Sequence, residues 1–373
     1  MKKIIILAGL VVAMFCPKPS AADFVVWDLQ SILSDKSVVS IATGKLGEPV
    51  LMGNWGEISD SNQDVTLSVA FIDDWKNISL DLRDLVDKFS DEHIPEPLYG
   101  IVSSFPISAV AADENRFYAG TSGALLYSND AGQTWHFLDL TPDISTKSNQ
   151  QGTHTTCKRL KQRGIESDKA FQMISLNRIC DLVILGTGRV LMAFDNGLVY
   201  NDHIDKHIAD RTDPRFQWNG VPSNVANELF GRVVNDLAVN KKTIFAATDQ
   251  GVWESLDDGT TWRIIGLDSE NVYTLNIAPD GTLFAGSERG LYFYRDGQWK
   301  FLKAIKNINA IAVNGSTLFV GTDQGLLISY DSGTNFDLMT NVPAVYVIEF
   351  VEDGYYLGTS KGFWFLKKRT KAL

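Results

Sequence analysis

The 373-residue chain has only three cysteines, no surplus of positive charge, and no long apolar run beyond its first residues. Each absence excludes something. So few cysteines leave one pair, Cys157 and Cys180, once the leader is set aside. In an oxidising compartment such a pair is expected to form a disulfide, here stapling a long insertion. Two thiols without a matching histidine pattern make a poor zinc site. With 34 Lys and Arg against 45 Asp and Glu, nucleic acid and anionic membrane are excluded as main partners. Membrane insertion of the mature chain is not expected. A nucleophile elbow, a phosphate loop and a zinc helix are also missing. No cofactor and no catalytic residue are assigned.

The ends carry the exceptions. Lys2 and Lys3, the apolar run Ile4 to Phe15, and Ser20-Ala21-Ala22 read as a secretory signal over residues 1–22, cleaved near Ala22. The expected location is therefore periplasmic or secreted. Cys16 follows Phe15 rather than a small residue, which argues against a lipid anchor. Loss of Lys2, Lys3 and Lys18 takes the net charge from -11 to -14. The tail Lys367-Lys368-Arg369-Thr370-Lys371 reads as a solvated end.

What the chain does have is a repeat. Thr282 to Leu291 matches Thr317 to Leu326: a β-rich run, a small residue, a glycine turn, and a second apolar run. Related segments begin at Glu48, Arg116, Arg189, Thr243 and Tyr355, with the small residue at 53, 120, 193, 247, 286, 321 and 358. The last four small positions are 39, 35 and 37 apart, whereas earlier gaps of 67, 73 and 54 hold insertions. A small residue is what sheets crowded around a tapering centre require.

A second signature follows several copies. Ser128-Asn129-Asp130-Ala131-Gly132-Gln133-Thr134-Trp135 recurs as Ser255, Asp257, Gly259 and Trp262, and again as Ser329, Asp331, Gly333 and Phe336. A shortened form is Asp296-Gly297-Gln298-Trp299. This pattern resembles the Asp-box, or BNR repeat, of a β-propeller superfamily that includes sialidases, large endoglucanases, sortilin-type receptors and a photosystem II assembly factor. The style is closest to the assembly-factor-like and sortilin-like group. The resemblance implies that the boxes close third-to-fourth strand turns. Their aspartates then bond turn amides, the glycines supply positive φ, and the aromatics pack beneath.

Seven copies of four short strands give an all-β fold, a seven-bladed β-propeller over residues 23–373. The last copy ends at its third strand, Phe363 to Leu366, while Phe24 to Leu29 resembles a fourth strand. The N-terminal strand is therefore expected to complete the last blade and remove the exposed sheet edges. Insertions fall at 80–106, 141–177 and 201–216, and 219–232 reads as a further link between blades. Leu80, Leu82, Leu85, Val86 and Phe89 in the first have helical spacing. Asp202, His203, Asp205 and His207 in the third are not taken as a metal site, because the helix that would align His203 and His207 has only weak support in a surface segment.

Most of these links run on the face that carries the second-to-third strand turns. Elaboration on one face marks a binding face. Its candidate residues are Trp55, Asp195, Asp249, Glu288, Arg289, Asp323 and Lys361. The expected function is a non-enzymatic, monomeric scaffold presenting that face to a protein, peptide or glycan. The alternative is a carbohydrate-active hydrolase or lyase using Asp195, Asp249, Glu288 or Asp323 as a carboxylate pair.

Overall fold

The computed structural model describes residues 26–33, 38–43, 49–54, 66–69, 78–81, 108–113, 116–120, 125–128, 136–138, 179–195, 197–202, 224–339 and 341–369. Within them the chain is all-β apart from one 3-10 turn at Asn227–Leu229. After β1 (Val26–Leu33) come two hairpins, β2 (Val38–Thr43) with β3 (Pro49–Asn54) and β4 (Thr66–Val69) with β5 (Ile78–Asp81). Five four-stranded antiparallel meanders follow. The first is β6 (Ala109–Asp113), β7 (Arg116–Gly120), β8 (Leu125–Ser128) and β9 (His136–Leu138). The second is β10 (Ile179–Ile184), β11 (Val190–Phe194), β12 (Gly197–Asn201) and β13 (Asn224–Val225). Next are β14 (Val234–Asn240), β15 (Thr243–Thr248), β16 (Gly251–Ser255) and β17 (Arg263–Gly266). The fourth is β18 (Val272–Ile277), β19 (Leu283–Ser287), β20 (Leu291–Arg295) and β21 (Gln298–Lys303). The fifth is β22 (Ile308–Asn314), β23 (Thr317–Thr322), β24 (Gly325–Ser329) and β25 (Asp337–Met339). The last sheet has the order β1, β28 (Gly362–Arg369), β27 (Gly354–Thr359), β26 (Val345–Val351), with Val26 opposite Arg369 and Leu29 opposite Leu366.

First strands lie side by side: β2 against β6, β6 against β10, and so on through β14, β18, β22 and β26, with β26 against β2. The second strand of each sheet holds the small residue, and its environment explains the repeat. A Cβ on Gly286 would lie 2.5 Å from Ile308 Cγ2, and one on Gly321 2.8 Å from Val345 Cγ1. A Cβ on Gly120 would meet Ile179 at 2.7 Å, and one on Gly358 the carbonyl of Val38 at 2.7 Å. Each of these four glycines thus receives the first, β-branched residue of the neighbouring sheet, and the last sheet receives that of β2. Val38, Ile41, Val347 and Phe363 fill this seam between β2 and the last sheet.

Register shifts at the start of β2, β10, β14, β18, β22 and β26 free one residue per strand from the ladder. Two of these freed side chains reach the next sheet: Asn235 Nδ2 donates to Val272 O at 2.8 Å and Asn309 Nδ2 to Val345 O at 3.0 Å. Ser108, just before β6, donates likewise to the carbonyl of Ile179. One residue after each shift, Asp181 and Asp236 accept the N–H of Leu237 and Leu275 at 2.9 and 2.8 Å, and Ser40 that of Val110 at 3.1 Å. Polar groups near the axis therefore tie sheet to sheet where glycine and alanine leave little apolar area.

Several expectations shift. Leu80 belongs to the β4–β5 hairpin, so the helical spacing begins inside a strand. The rest of the 80–106 insertion beyond Asp81 lies outside the described residues. The segment 219–232 is more than a link, because it contains β13, the short fourth strand of its sheet, and the 3-10 turn. Cys180 sits buried on β10, an innermost strand, so a bridge to it would reach the core, not only an insertion. Cys157 and the 141–177 insertion lie outside the described residues.

Candidate functional site

Four of the second-to-third strand turns share one construction. Thr248, Ser287, Thr322 and Thr359 end the second strands, and each is buried three residues before a glycine. Thr248, Thr322 and Thr359 donate their hydroxyls to Gly251, Gly325 and Gly362 carbonyls at 3.0, 3.0 and 2.8 Å. The same oxygens accept N–H groups of Gln250, Gln324 and Lys361 at 3.0, 3.2 and 3.1 Å. The next backbone N–H ties the turn to the strand lead-in: Asp249 to Val233 O, Glu288 to Asn271 O, Ser360 to Ala344 O. The two residues at the tip, Asp249 and Gln250 or their equivalents, are thereby fixed on a rigid bracket. The serine or threonine three before the glycine was the available sequence signal for it, and it was not singled out.

The candidate residues have different neighbours. Asp249 Oδ1 accepts the N–H of Val233 at 3.2 Å. Burial pushes this carboxyl above its usual value, opposed by that hydrogen bond and by the nearby Arg232 charge. Asp323 Oδ1 accepts from Asn309 Nδ2 at 2.9 Å, and the same amide holds Val345. Glu288 sits at the β19–β20 turn beside Arg289, Asp195 at the β11–β12 turn, and exposed Lys361 at the β27–β28 turn. Trp55 lies outside the described residues.

Arg289 is the best-anchored charge among these. Its guanidinium is 67% exposed, yet it pairs at 3.1 Å with Glu270, whose side chain is only 5% exposed. Ser287 Oγ donates to Glu270 Oε2 at 2.9 Å and Tyr292 Oη to Oε1 at 3.3 Å. Burial, and then Glu270, hold the Tyr292 phenol above its usual value. Sequence reasoning missed Glu270, which lies in a link with no repeat pattern. Arg232, which it also missed, stacks 4.7 Å from the Trp253 ring centre and hydrogen-bonds Gln250.

On the opposite edge, the Asp-box turns are closed by their own side chains. Ser255 Oγ accepts the Gly259 N–H at 2.9 Å and donates to Asp257 Oδ1 at 2.8 Å. Asp257 accepts the N–H and hydroxyl of Thr261 at 2.9 and 2.7 Å, and Trp262 Nε1 donates to Gly259 O at 2.9 Å. Gly259 takes a φ of 83°. Ser329, Asp331, Gly333 and Asn335 repeat the pattern, with Phe336 partly buried beneath. Hydrogen bonds from the Asn335 N–H and amide hold Asp331 at about 2. Of the first box, Ser128 is fully buried, while Asp130, Gly132 and Trp135 lie outside the described residues. His203, Asp205 and His207 lie outside them too. Asp202 is paired with Arg189, which also reaches the box of the next sheet through Asp258 O at 2.7 Å and Thr260 Oγ1 at 2.9 Å.

No family model matches the chain, and no curated protein matches its sequence. Solved structures do resemble it. YCF48 bound to D1 peptide superposes with a TM-score of 0.58 at 15% identity, covering 92% of this chain and 97% of that one. The extracellular domain of a putative one-component system from B. thetaiotaomicron gives 0.55 at 16% identity, over 92% of this chain and 40% of that one. The GH74 xyloglucanase from Xanthomonas campestris gives 0.51 at 14% identity, over 91% and 53%. The fold is that of the β-propellers. At these identities the likeness extends no further than the fold.

Proposed function

We propose that the chain is an exported, non-enzymatic binding propeller that presents its second-to-third strand turn face to a protein, peptide or glycan ligand. Seven blades form the ring, with β2 to β5 as the first blade. The N-terminal strand completes the last blade. Adjacency of the seven first strands and the β1–β28 pairing support this arrangement. Export rests on the leader-like residues 1–22, and extracellular domains occur among the similar structures. The YCF48 complex with a peptide is a precedent for ligand capture by such a ring.

The observation that carries the reading is Arg289. It is an exposed cation oriented by a buried carboxylate on a braced turn, ready to meet a partner at little ordering cost. Of the four carboxylates named for the hydrolase reading, Asp249 and Asp323 accept hydrogen bonds from the Val233 N–H and the Asn309 amide.

The test is capture from envelope extract by the immobilised mature chain. Its Arg289→Ala/Lys361→Ala variant alters the proposed face, and Asp331→Asn the opposite one. The face variant should lose partners that Asp331→Asn retains; equal capture by both would refute the assignment. Glycan hydrolysis abolished by Asp249→Asn would install the hydrolase reading instead.

A further inference from the structure

The seven first strands enclose an axial cavity of about 500 Å³. Polar and apolar residues alternate around its wall, with more of the polar ones on β10, β14 and β18. On β10, β14 and β18 it carries Asp181, Asp236, Thr274 and Asn276. Across the axis Ala310, Val347 and Ile41 are among its lining residues. Glu349 is the one acidic group on that second side, and no lysine or arginine lines the cavity among the described residues.

Asp181 and Asp236 have structural work, since each receives a backbone N–H from the next strand. Thr274 does not. It is only 3% exposed, and its hydroxyl has no hydrogen-bond partner among the described residues. Its methyl carbon lies 3.0 Å from where a Cβ on Gly286 would sit, which turns that methyl into its own sheet and leaves the hydroxyl on the cavity wall. Two residues along the same strand, and so on the same side of it, the Asn276 amide is likewise without a partner among the described residues. A nearly buried hydroxyl left unpaired costs free energy unless water or a ligand satisfies it.

We propose that the axial cavity binds a small organic cation, an ammonium group carried on an apolar stem. The charge faces the carboxylate side, where the Thr274 hydroxyl and the Asn276 carbonyl oxygen accept its N–H groups. The stem lies along Ala310 and Val347. Partly exposed Val239 at the end of β14 gives the entrance an apolar edge. This site is separate from the turn face, and the assignment does not depend on the function proposed for that face.

Titration calorimetry of the full mature chain at low ionic strength tests it, with n-pentylamine, the neutral isostere 1-pentanol and glucose as probes. Pentylamine should bind one to one, about tenfold or more tighter than pentanol. Thr274→Val and Asn276→Leu should each weaken it severalfold, with melting curves recorded to show that both variants fold. Should one of these variants fail to fold, the other supplies the comparison. Absence of pentylamine binding, equal binding of pentanol, a preference for glucose, or affinity unchanged in the folded variants would each overturn the proposal.

Discussion

Asp249 and Asp331 are both turn carboxylates, and their surroundings move them in opposite directions. Asp331 is fully exposed and held at about 2 by the Asn335 donors and Ser329, against 3.8 for a free side chain. A carboxylate depressed in the folded state adds stability that is complete above about 3.8 and is lost as pH falls through about 2. Asp331→Asn should therefore show a smaller loss of urea midpoint across that window than the parent. Asp249 has the other sign, because burial disfavours its charge. Asn at that position still accepts from Val233 without the buried charge. Asp249→Asn should raise the urea midpoint at neutral pH, and the gain should vanish once acid protonates the parent carboxyl. A lower midpoint at neutral pH would contradict the burial argument. At this scale the sequence was legible where chemistry is local: box serine and aspartate stand two apart and reach each other at 2.8 Å. Glu270 was invisible because its partners Ser287, Arg289 and Tyr292 lie 17 to 22 residues away and belong to a turn it meets only after folding.

At the scale of strands and turns, the small positions carry the most information. Gly286 receives Ile308 so closely that one added methyl has no room. Gly286→Ala should cost about 1–3 kcal/mol, the usual range for overpacking. Ile308→Ala should cost less in the Gly286→Ala chain than it does alone, because it removes the Cγ2 methyl that conflicts with the added Cβ. Additive losses in a double-mutant cycle would mean that the sheets do not meet there. The periodic small residue made the second strands readable in advance. The fourth strand of the β10–β13 sheet was not, because Asn224–Val225 is too short to show a period of two. Similarly, Leu80 begins a helical spacing yet pairs with Leu67 in a hairpin, so tertiary pairing overrode the local pattern. On the turn face, hydrophobic patterning could locate the tips but not which tip charges would be committed to the fold, as Asp249 and Asp323 are.

For the whole molecule the question is how the ring holds together. Gly358 seats against Val38, and the apolar seam of Val38, Ile41, Val347 and Phe363 joins the first and last sheets. The covalent chain does not cross that seam except through β1, which pairs with β28 along most of its length and then leads into β2. Pairing with β1 leaves no long unpaired edge on β28, and closure of this kind predicts that the sheets unfold as one unit. The measurement that tests the account most directly is the thermal unfolding of residues 23–373 with residues 26–33 removed. Closure by this strand predicts a large fall in melting temperature and loss of the single cooperative transition. An unchanged melting curve would contradict it.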